Sequence, residues 1–249
     1  YENLAGNWTQ IGQDIDGEAS DDYSGWSVSL SDNGNIVAIG AKDNDGINGS
    51  NSGHVRIYNY NGTSWIQLGQ DIDGEATYDY SGRYTAISSD GNTVAITGKA
   101  NDGNGTDAGH VRIYNYNGGT WNQLGNDIDG EAAGDQSGHS VSLSSDGNRV
   151  AIGAYWNDGN GSESGHVRIY DYNGASWNQV GVDIDGEAAG DRSGYQVSMS
   201  SDGSIVAIAA YMNNGNGSES GHVRVYDLPN LLTNTNGCDS TAVLNLTIT

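Results

Sequence analysis

Asp14-Ile-Asp-Gly-Glu-Ala19 is a hexapeptide that the chain repeats three more times, beginning at Asp71, Asp127 and Asp183. The four copies are 57, 56 and 56 residues apart. Each copy is followed by the same succession of Ser-Gly, a short apolar run, a glycine turn, Val-Ala-Ile and Gly-His-Val-Arg. Repetition at this period predicts a propeller or another repeat array, because one unit cannot bury both of its faces alone.

The third repeat indicates what each unit forms. The alternation of small polar and apolar residues in Ser140-Val-Ser-Leu143 predicts a half-buried strand. Asp146-Gly-Asn148 is a hairpin-turn signal, since glycine and asparagine adopt positive φ at little cost. A return strand is expected over residues 149–154, a third strand over 166–170 and a fourth over 176–181. The sequence therefore predicts an all-β fold with four antiparallel strands in each repeat.

A strand of the fourth type precedes the first repeat, and the last repeat lacks one. A tryptophan marks the fourth strand at Trp65, Trp121 and Trp177, and the same strand type occurs at Trp8, ahead of the first repeat. The last repeat ends after its third strand, residues 222–226. We therefore predict a four-bladed β-propeller of four-stranded antiparallel blades, closed by the N-terminal strand so that no sheet edge is free. The alternative is an open fragment of a larger propeller, or two chains that pair into an eight-bladed ring.

The repeats define one predicted domain. Residues 1–228 are expected to form the propeller, with four repeats of about 56 residues. Residues 229–249 are unrelated to the repeats and are expected to be a C-terminal extension, either a partial β module or a linker. The single cysteine, Cys238, lies in this extension and has no second cysteine to pair with.

The chain is strongly acidic. It contains 32 Asp and Glu against 9 Lys and Arg, which gives a formal net charge of -23. Such a surface repels the phosphates of nucleic acids and of anionic lipids, so nucleic acid is not an expected partner. Membrane insertion is not expected either, because no apolar run approaches the roughly 20 residues that a membrane-spanning helix needs.

The repeat resembles the FG-GAP repeat of integrin α-subunit propellers. Ser24-Gly25 and its three equivalents stand where that family has Phe-Gly, and Ile152-Gly-Ala154 stands where it has Gly-Ala-Pro. The resemblance covers residues 8–228 and implies a β-propeller that serves in adhesion or recognition. The integrin calcium loop between the first two strands is not carried over, because only short turns such as Asp146-Gly-Asn148 stand there.

Two further resemblances concern location. The tandem hexapeptide units are most similar to those of secreted bacterial and algal proteins. The segment from Thr235 to Thr249 resembles the end of a short β-rich module of large Bacteroidetes surface proteins. Together they imply an extracellular or cell-surface location.

Acidic side chains recur in the segment between the fourth strand of one repeat and the first strand of the next. An Asp-x-Asp-Gly-Glu run with another Asp nearby gathers hard oxygen donors around a glycine turn, and Ca²⁺ prefers such donors. The predicted Ca²⁺ ligands are Asp14, Asp16, Glu18, Asp22, Asp71, Asp73, Glu75, Asp79, Asp127, Asp129, Glu131, Asp135, Asp183, Asp185, Glu187 and Asp191. The alternative is that these carboxylates cap turns by accepting hydrogen bonds from backbone amides.

The loops expected on that side of the blades are where the repeats differ most. Aromatic and cationic side chains on loops of a rigid scaffold are typical of a binding surface. The predicted ligand-binding residues are Trp26, Arg83, His139, Tyr155, Trp156, Tyr195 and Tyr211. A glycan or a protein is the expected ligand, and the alternative is sequence drift at exposed positions.

A histidine begins each predicted third strand, and an arginine follows two residues later. The histidines are His54, His110, His166 and His222. We expect each His and Arg to contact a neighbouring acidic loop. Repeated, equivalent carboxylates do not form one asymmetric catalytic site, so an enzyme is not expected. The sequence predicts an adhesion or recognition module, with a structural spacer or a self-associating filament or surface-layer subunit as the alternative.

Overall fold

The computed structural model describes residues 2–4 and 6–229, which form twenty β-strands and no helix. The all-β class predicted from the repeats is confirmed for these residues. Within the same ranges, no helix is present that could cross a membrane. The predicted C-terminal extension, including Cys238, lies outside the described residues apart from Pro229.

Four antiparallel sheets follow one another along the chain, one for each repeat. The first contains β3 (Ser27–Leu30), β4 (Ile36–Ala41), β5 (His54–Tyr60), β6 (Trp65–Gln67) and β7 (Ile72–Asp73). The second contains β8 (Thr85–Ile87), β9 (Thr93–Gly98), β10 (His110–Asn117), β11 (Thr120–Gln123) and β12 (Ile128–Asp129). The third contains β13 (Ser140–Leu143), β14 (Arg149–Ala154), β15 (His166–Tyr172), β16 (Trp177–Gln179) and β17 (Ile184–Asp185). The fourth contains β18 (Ser193–Met199), β19 (Ile205–Ala210) and β20 (His222–Asp227), and a hairpin of β1 (Glu2–Leu4) and β2 (Asn7–Thr9) precedes them all.

A side-chain-stabilised turn closes the first hairpin of each sheet. In the third sheet, the Asp146 carboxylate accepts hydrogen bonds from Ser144 Oγ at 2.6 Å and from the Asn148 amide at 3.0 Å. Gly147 between them adopts a φ of 71°, which a side chain would oppose. The turn fixes the register that pairs Val141 with Ile152. The predicted hairpin signal therefore acts as expected.

In each complete sheet a short fifth strand follows the predicted fourth strand and lies in the acidic segment, which was predicted to be a loop. In the first sheet, β6 pairs with the last residues of β5, and β7 pairs with its first two. Gly69 lies between β6 and β7 with a φ of 78° and allows the chain to bend there. Ile72 then enters the core, as does Ile128 in the second sheet, so the second and third hexapeptides begin at a sheet edge with their acidic residues beside a buried isoleucine.

Consecutive sheets pack against each other, and the core lies between them. Ile57 of β5 and Ile96 of β9 belong to one cluster that joins the first and second sheets, and equivalent clusters join the later pairs. Trp121 adds a polar tie across the first junction, because its indole Nε1 donates to the Leu68 carbonyl at 2.7 Å. Each sheet thus buries an apolar face only with the help of its neighbour.

The first and the fourth sheets each expose an apolar face. Val28 in β3 is 66% exposed, and Val223 and Val225 in β20 are 63% and 64% exposed. Val111, which occupies in β10 the position of Val223, is fully buried. The difference arises because the second sheet has neighbours on both sides, whereas the last described sheet does not.

The structure corrects the predicted closure of the ring. The N-terminal strand β2 pairs with β1, and among the described strands β20 pairs with β19 alone. Gly6, with a φ of 86°, forms the turn that folds the first residues back onto β2. Trp8 is consequently 71% exposed rather than packed on the last sheet. Four antiparallel sheets in sequence are consistent with a β-propeller, but within residues 2–4 and 6–229 the N-terminal strand does not pair with the last sheet.

Candidate functional site

The acidic segments lie beside the loops between the second and third strands, as predicted. After the second hexapeptide, the amides of Tyr80 and Ser81 donate to the carbonyls of Asn51 and Ser52 at 3.1 and 3.0 Å. The Gly74 amide likewise donates to the Gly53 carbonyl at 2.8 Å. Backbone pairing therefore fixes the two loop systems together at one end of the sheets.

The last carboxylate of each acidic segment caps a turn. Asp79 is buried, and its Oδ2 accepts hydrogen bonds from the Ala76 amide at 2.9 Å and from Asn101 Nδ2 at 3.1 Å. The same pair of contacts recurs in the other repeats, at Asp22, Asp135 and Asp191. These four predicted metal ligands thus have the capping contacts that the sequence offered as the alternative.

The second aspartate of each hexapeptide is tied through its backbone. Arg112 Nη2 donates to the Asp73 carbonyl at 2.8 Å, and Arg168 Nη2 donates to the Asp129 carbonyl at 2.6 Å. Arg56 makes the same bond to the Asp16 carbonyl at 2.7 Å. Burial raises the pKa values of the Asp73 and Asp129 side chains, and the neighbouring first aspartate adds to the rise. The predicted contact between each arginine and an acidic loop is present.

The glutamate of one hexapeptide and the first aspartate of the next meet at a histidine. His110 Nδ1 lies 3.8 Å from Glu75 Oε2 and 3.7 Å from Asp127 Oδ2. His166 Nδ1 lies 3.7 Å from Glu131 Oε2 and 3.5 Å from Asp183 Oδ2. We refer to these sets, together with Glu18, His54 and Asp71, as the Glu–His–Asp clusters.

The histidines of these clusters are held neutral by their surroundings. His110 is 1% exposed. Burial, and then the positive charge of Arg112, lower the pKa of His110 to about 4 against the opposing effect of Asp127. Burial also lowers the pKa values of His54 and His166. Each cluster therefore presents a neutral imidazole to two carboxylates, and three clusters could hold a metal ion.

All seven residues predicted to bind a ligand enter one network of ring and cation contacts. His139 lies at its centre, with its ring 4.0 Å from that of Tyr155 and 4.8 Å from that of Tyr195. Tyr195 contacts Tyr211 at 4.3 Å, and Tyr155 contacts Trp156 at 5.7 Å. We call this network, together with the cations described next, the aromatic–cation cluster.

Cations border the aromatic rings. Lys42 Nζ lies 4.2 Å from the ring centre of Trp26, and the Arg83 guanidinium lies 5.3 Å from the same ring. Arg192 covers Trp156 at 5.2 Å. Lys99, Arg83 and Lys42 also line a recess of about 360 Å³. In a chain with so few basic residues, this concentration of positive charge at one end distinguishes the cluster from the rest of the surface.

His139 is the most unusual member of the cluster. It is 5% exposed, and neither ring nitrogen has a hydrogen-bond partner. Burial lowers the pKa of His139 to about 4, and the charges of Arg83 and Lys99 contribute to the decrease. At neutral pH the ring is therefore an uncharged aromatic surface that joins Tyr84, 5.3 Å away, to the tyrosines on its other side.

The seven predicted residues leave out four members of the cluster, Lys42, Tyr84, Lys99 and Arg192. Arg192 lies directly before Ser193-Gly194, and its repeat position is held by Tyr23, Tyr80 and Gln136 in the other units. These four residues adopt φ values of 52 to 57°, in the left-handed region. The available signal for Arg192 was the divergence at this position, where the four repeats hold three residue types, against four directly after Ser-Gly.

Comparison with known proteins agrees with the repeats. Residues 14–58 and 128–170 match the FG-GAP repeat. A crystal structure from Bacteroides uniformis, provisionally named a 6-phosphogluconolactonase, is similar over 81% of this chain and 49% of its own, with a TM-score of 0.53 and 14% identity. Hydrazine synthase of Kuenenia stuttgartiensis is similar over 80% of this chain and 49% of its own, with a TM-score of 0.48 and 14% identity.

These similarities are limited to the fold. The chain spans about half the length of the two solved structures that it resembles. No curated protein matches the sequence. At 14% identity the first solved structure shows a shared architecture and transfers no activity. The FG-GAP repeats are thus shown, and they suggest a β-propeller of a kind often found outside the cell.

Proposed function

We propose that the protein is an extracellular adhesion or recognition module that binds a glycan or a protein through the aromatic–cation cluster. The observation that carries the proposal is that divergent side chains from all four repeats meet there, while the sheets beneath them are nearly identical. Selection for stability alone would favour the same residues in every repeat. FG-GAP repeats in two parts of the chain support the location and the class of function.

The chemistry of the cluster suits binding rather than catalysis. Tyrosine, tryptophan and arginine dominate the energetics of recognition surfaces, because they provide large contact areas with a polar edge. The described members offer rings and cations but no nucleophile paired with a base, so we propose a non-enzymatic role. Asp43 forms an ion pair with Lys42 in this recess, and the positive charge of Arg83 and Lys99 favours ligands with acidic groups.

Substitution of Trp156 tests this proposal. Trp156 is 37% exposed, so Trp156→Ala removes contact area without opening the core. We expect binding on a glycan array or in a pull-down, and a loss of at least about tenfold in affinity for Trp156→Ala. Trp8→Ala is the matched control, because Trp8 is an exposed tryptophan that belongs to no part of the cluster. Equal binding by the two variants would contradict the proposal.

The exposed end faces favour a second candidate, a subunit that associates with copies of itself. Val223 and Val225 occupy positions that the next sheet covers in every internal repeat. A second chain could cover them with its own first sheet, since Val28 and Leu30 there are also exposed. Sedimentation velocity at rising concentration tests this candidate. Monomers at every concentration would remove it, whereas association that Val225→Lys abolishes would support it.

Calcium at the acidic segments stays a prediction. Ca²⁺ takes six to eight oxygen ligands. The hexapeptides supply many carboxylates, but those of one segment have different contacts: one caps a turn, one lies at a sheet edge and two belong to different Glu–His–Asp clusters. Calcium binding would therefore need backbone oxygens or water in addition.

A further inference from the structure

Two histidine nitrogens in the Glu–His–Asp clusters are buried without a hydrogen-bond partner. They are Nδ1 of His110 and Nδ1 of His166, and each residue is 1% exposed. A buried polar atom without a partner costs about 1–3 kcal/mol, so its recurrence in two repeats requires an explanation. Both nitrogens face the two carboxylates of their cluster at 3.5 to 3.8 Å, too far for a hydrogen bond.

These distances fit an ion placed among the three side chains. The ligand atoms of each cluster all lie within 4.8 Å of one another. With the two histidine–carboxylate distances of 3.5 to 3.8 Å, an ion in the plane of the three atoms and equidistant from them would lie roughly 2.0–2.4 Å from each, close to the length of Zn–N and Zn–O bonds, about 2.0–2.2 Å. The same arrangement of one glutamate, one histidine and one aspartate occurs in the first, second and third sheets.

We infer that the three Glu–His–Asp clusters bind a divalent transition ion of the Zn²⁺ class, with Nδ1 of the histidine and one oxygen from each carboxylate as ligands. An imidazole nitrogen suits zinc and its neighbours in the first transition row, whereas Ca²⁺ binds through oxygen. Three protein ligands leave a coordination position for water or for a group from another molecule. This inference is independent of the aromatic–cation cluster.

Such an ion would join three separate parts of each repeat. In the second sheet, Glu75 belongs to the segment that enters the sheet, His110 begins the third strand and Asp127 follows the fourth. An ion held by all three would stabilise the folded state and contribute nothing to the unfolded chain. The fourth sheet has only part of the set within residues 6–229: His222 Nδ1 lies 3.7 Å from Glu187, and no aspartate completes that cluster there.

Metal titration of the purified chain tests the inference. We expect isothermal titration with Zn²⁺ to show about three ions per chain, and Ca²⁺ at the same concentration not to compete. Glu75→Gln should lower the count by about one ion. Glu219→Gln, at an exposed carboxylate outside the clusters, is the matched control and should leave the count unchanged. Loading with Co²⁺ should give the visible absorption of a low-coordinate site with nitrogen and oxygen ligands.

Three results would overturn the inference: no Zn²⁺ bound, Zn²⁺ displaced by equimolar Ca²⁺, or an ion count that Glu75→Gln leaves unchanged. Far-ultraviolet circular dichroism establishes that each variant is folded. If Glu75→Gln does not fold, Asp127→Asn replaces it, because the amide oxygen can still accept the 2.5 Å bond from Gln123 while the second oxygen is lost as a ligand. The expected reduction by one ion is the same.

Discussion

Replacement of Arg149 by alanine is expected to lower the free energy of unfolding by about 3–5 kcal/mol, because it leaves a buried carboxylate without its partner. Arg149 is 6% exposed and forms a two-pronged ion pair with Asp171, with distances of 2.6 Å from Nε and 2.8 Å from Nη2. Its Nη1 also donates to the Gly203 carbonyl of the next sheet at 2.7 Å, and Nη2 donates to Pro229. One side chain therefore connects the third sheet, the turn of the fourth and the end of the described chain.

Urea unfolding followed by circular dichroism measures this loss. Arg192→Ala is the matched control, since Arg192 pairs with Glu163 at 2.7 Å but is more exposed. An ion pair in contact with solvent contributes only about 0–1 kcal/mol, so this variant should unfold almost like the parent protein. Equal effects of the two substitutions would show that the ion pair of Arg149 is screened by water in solution.

The same valine-to-alanine change is expected to have a large effect on stability at one repeat position and almost none at its equivalent in another repeat. Val111→Ala should destabilise the protein by about 2 kcal/mol, because Val111 is fully buried between sheets and its loss leaves a cavity. Val223→Ala should change the stability by less than about 0.5 kcal/mol, because Val223 is 63% exposed. Thermal or urea unfolding of the two variants under identical conditions gives the comparison directly.

This comparison also tests whether the apolar face of the fourth sheet is exposed in solution. A large loss for Val223→Ala would mean that the last sheet is covered in solution, by a second chain or by ring closure. Repeating the measurement over a range of protein concentrations separates these two explanations, since only association makes the stability depend on concentration. A small loss at every concentration would confirm that this face is open.

The fold could be predicted from the sequence wherever the deciding interactions are local. Turn residues such as Asp146 hydrogen-bond within two positions, so the hairpins and their register follow from a few adjacent residues. The succession of four sheets along the chain follows from the repetition itself, because each repeat forms one sheet. Closure could not be predicted in the same way, because it depends on which edge β2 pairs with. A turn at Gly6, which has a φ of 86°, directs β2 to β1.

The Glu–His–Asp clusters could not be predicted because their residues come from different repeats. Four carboxylates close together in the sequence suggested one site for each hexapeptide. The structure separates them, so that Glu75 and Asp127, 52 positions apart, meet at one histidine while Asp79 turns inward to cap a loop. The bend at Gly69 and its equivalents, followed by a short strand such as β7, brings the next hexapeptide back to the sheet.

The aromatic–cation cluster was easier to anticipate. Seven loop residues differ between repeats whose strands are nearly identical, and this difference was the reason for selecting them. All seven lie in one network of contacts. The difference between repeats did not single out Tyr84, because this residue directly precedes the first strand of its sheet, where an aromatic residue is expected for packing alone. Its contact with the His139 ring depends on how neighbouring sheets are placed.

The left-handed residues before each Ser-Gly pair have a consequence for the evolution of this protein. Their backbone is held by amide hydrogen bonds, such as those from Tyr80 to Asn51 and from Arg192 to Glu163, both 3.1 Å long. The loop shape therefore does not depend on which side chain is present, as tyrosine, glutamine and arginine at the equivalent positions demonstrate. Mutation can consequently change the side chains that these loops present one unit at a time, and each new set of side chains inherits an intact framework.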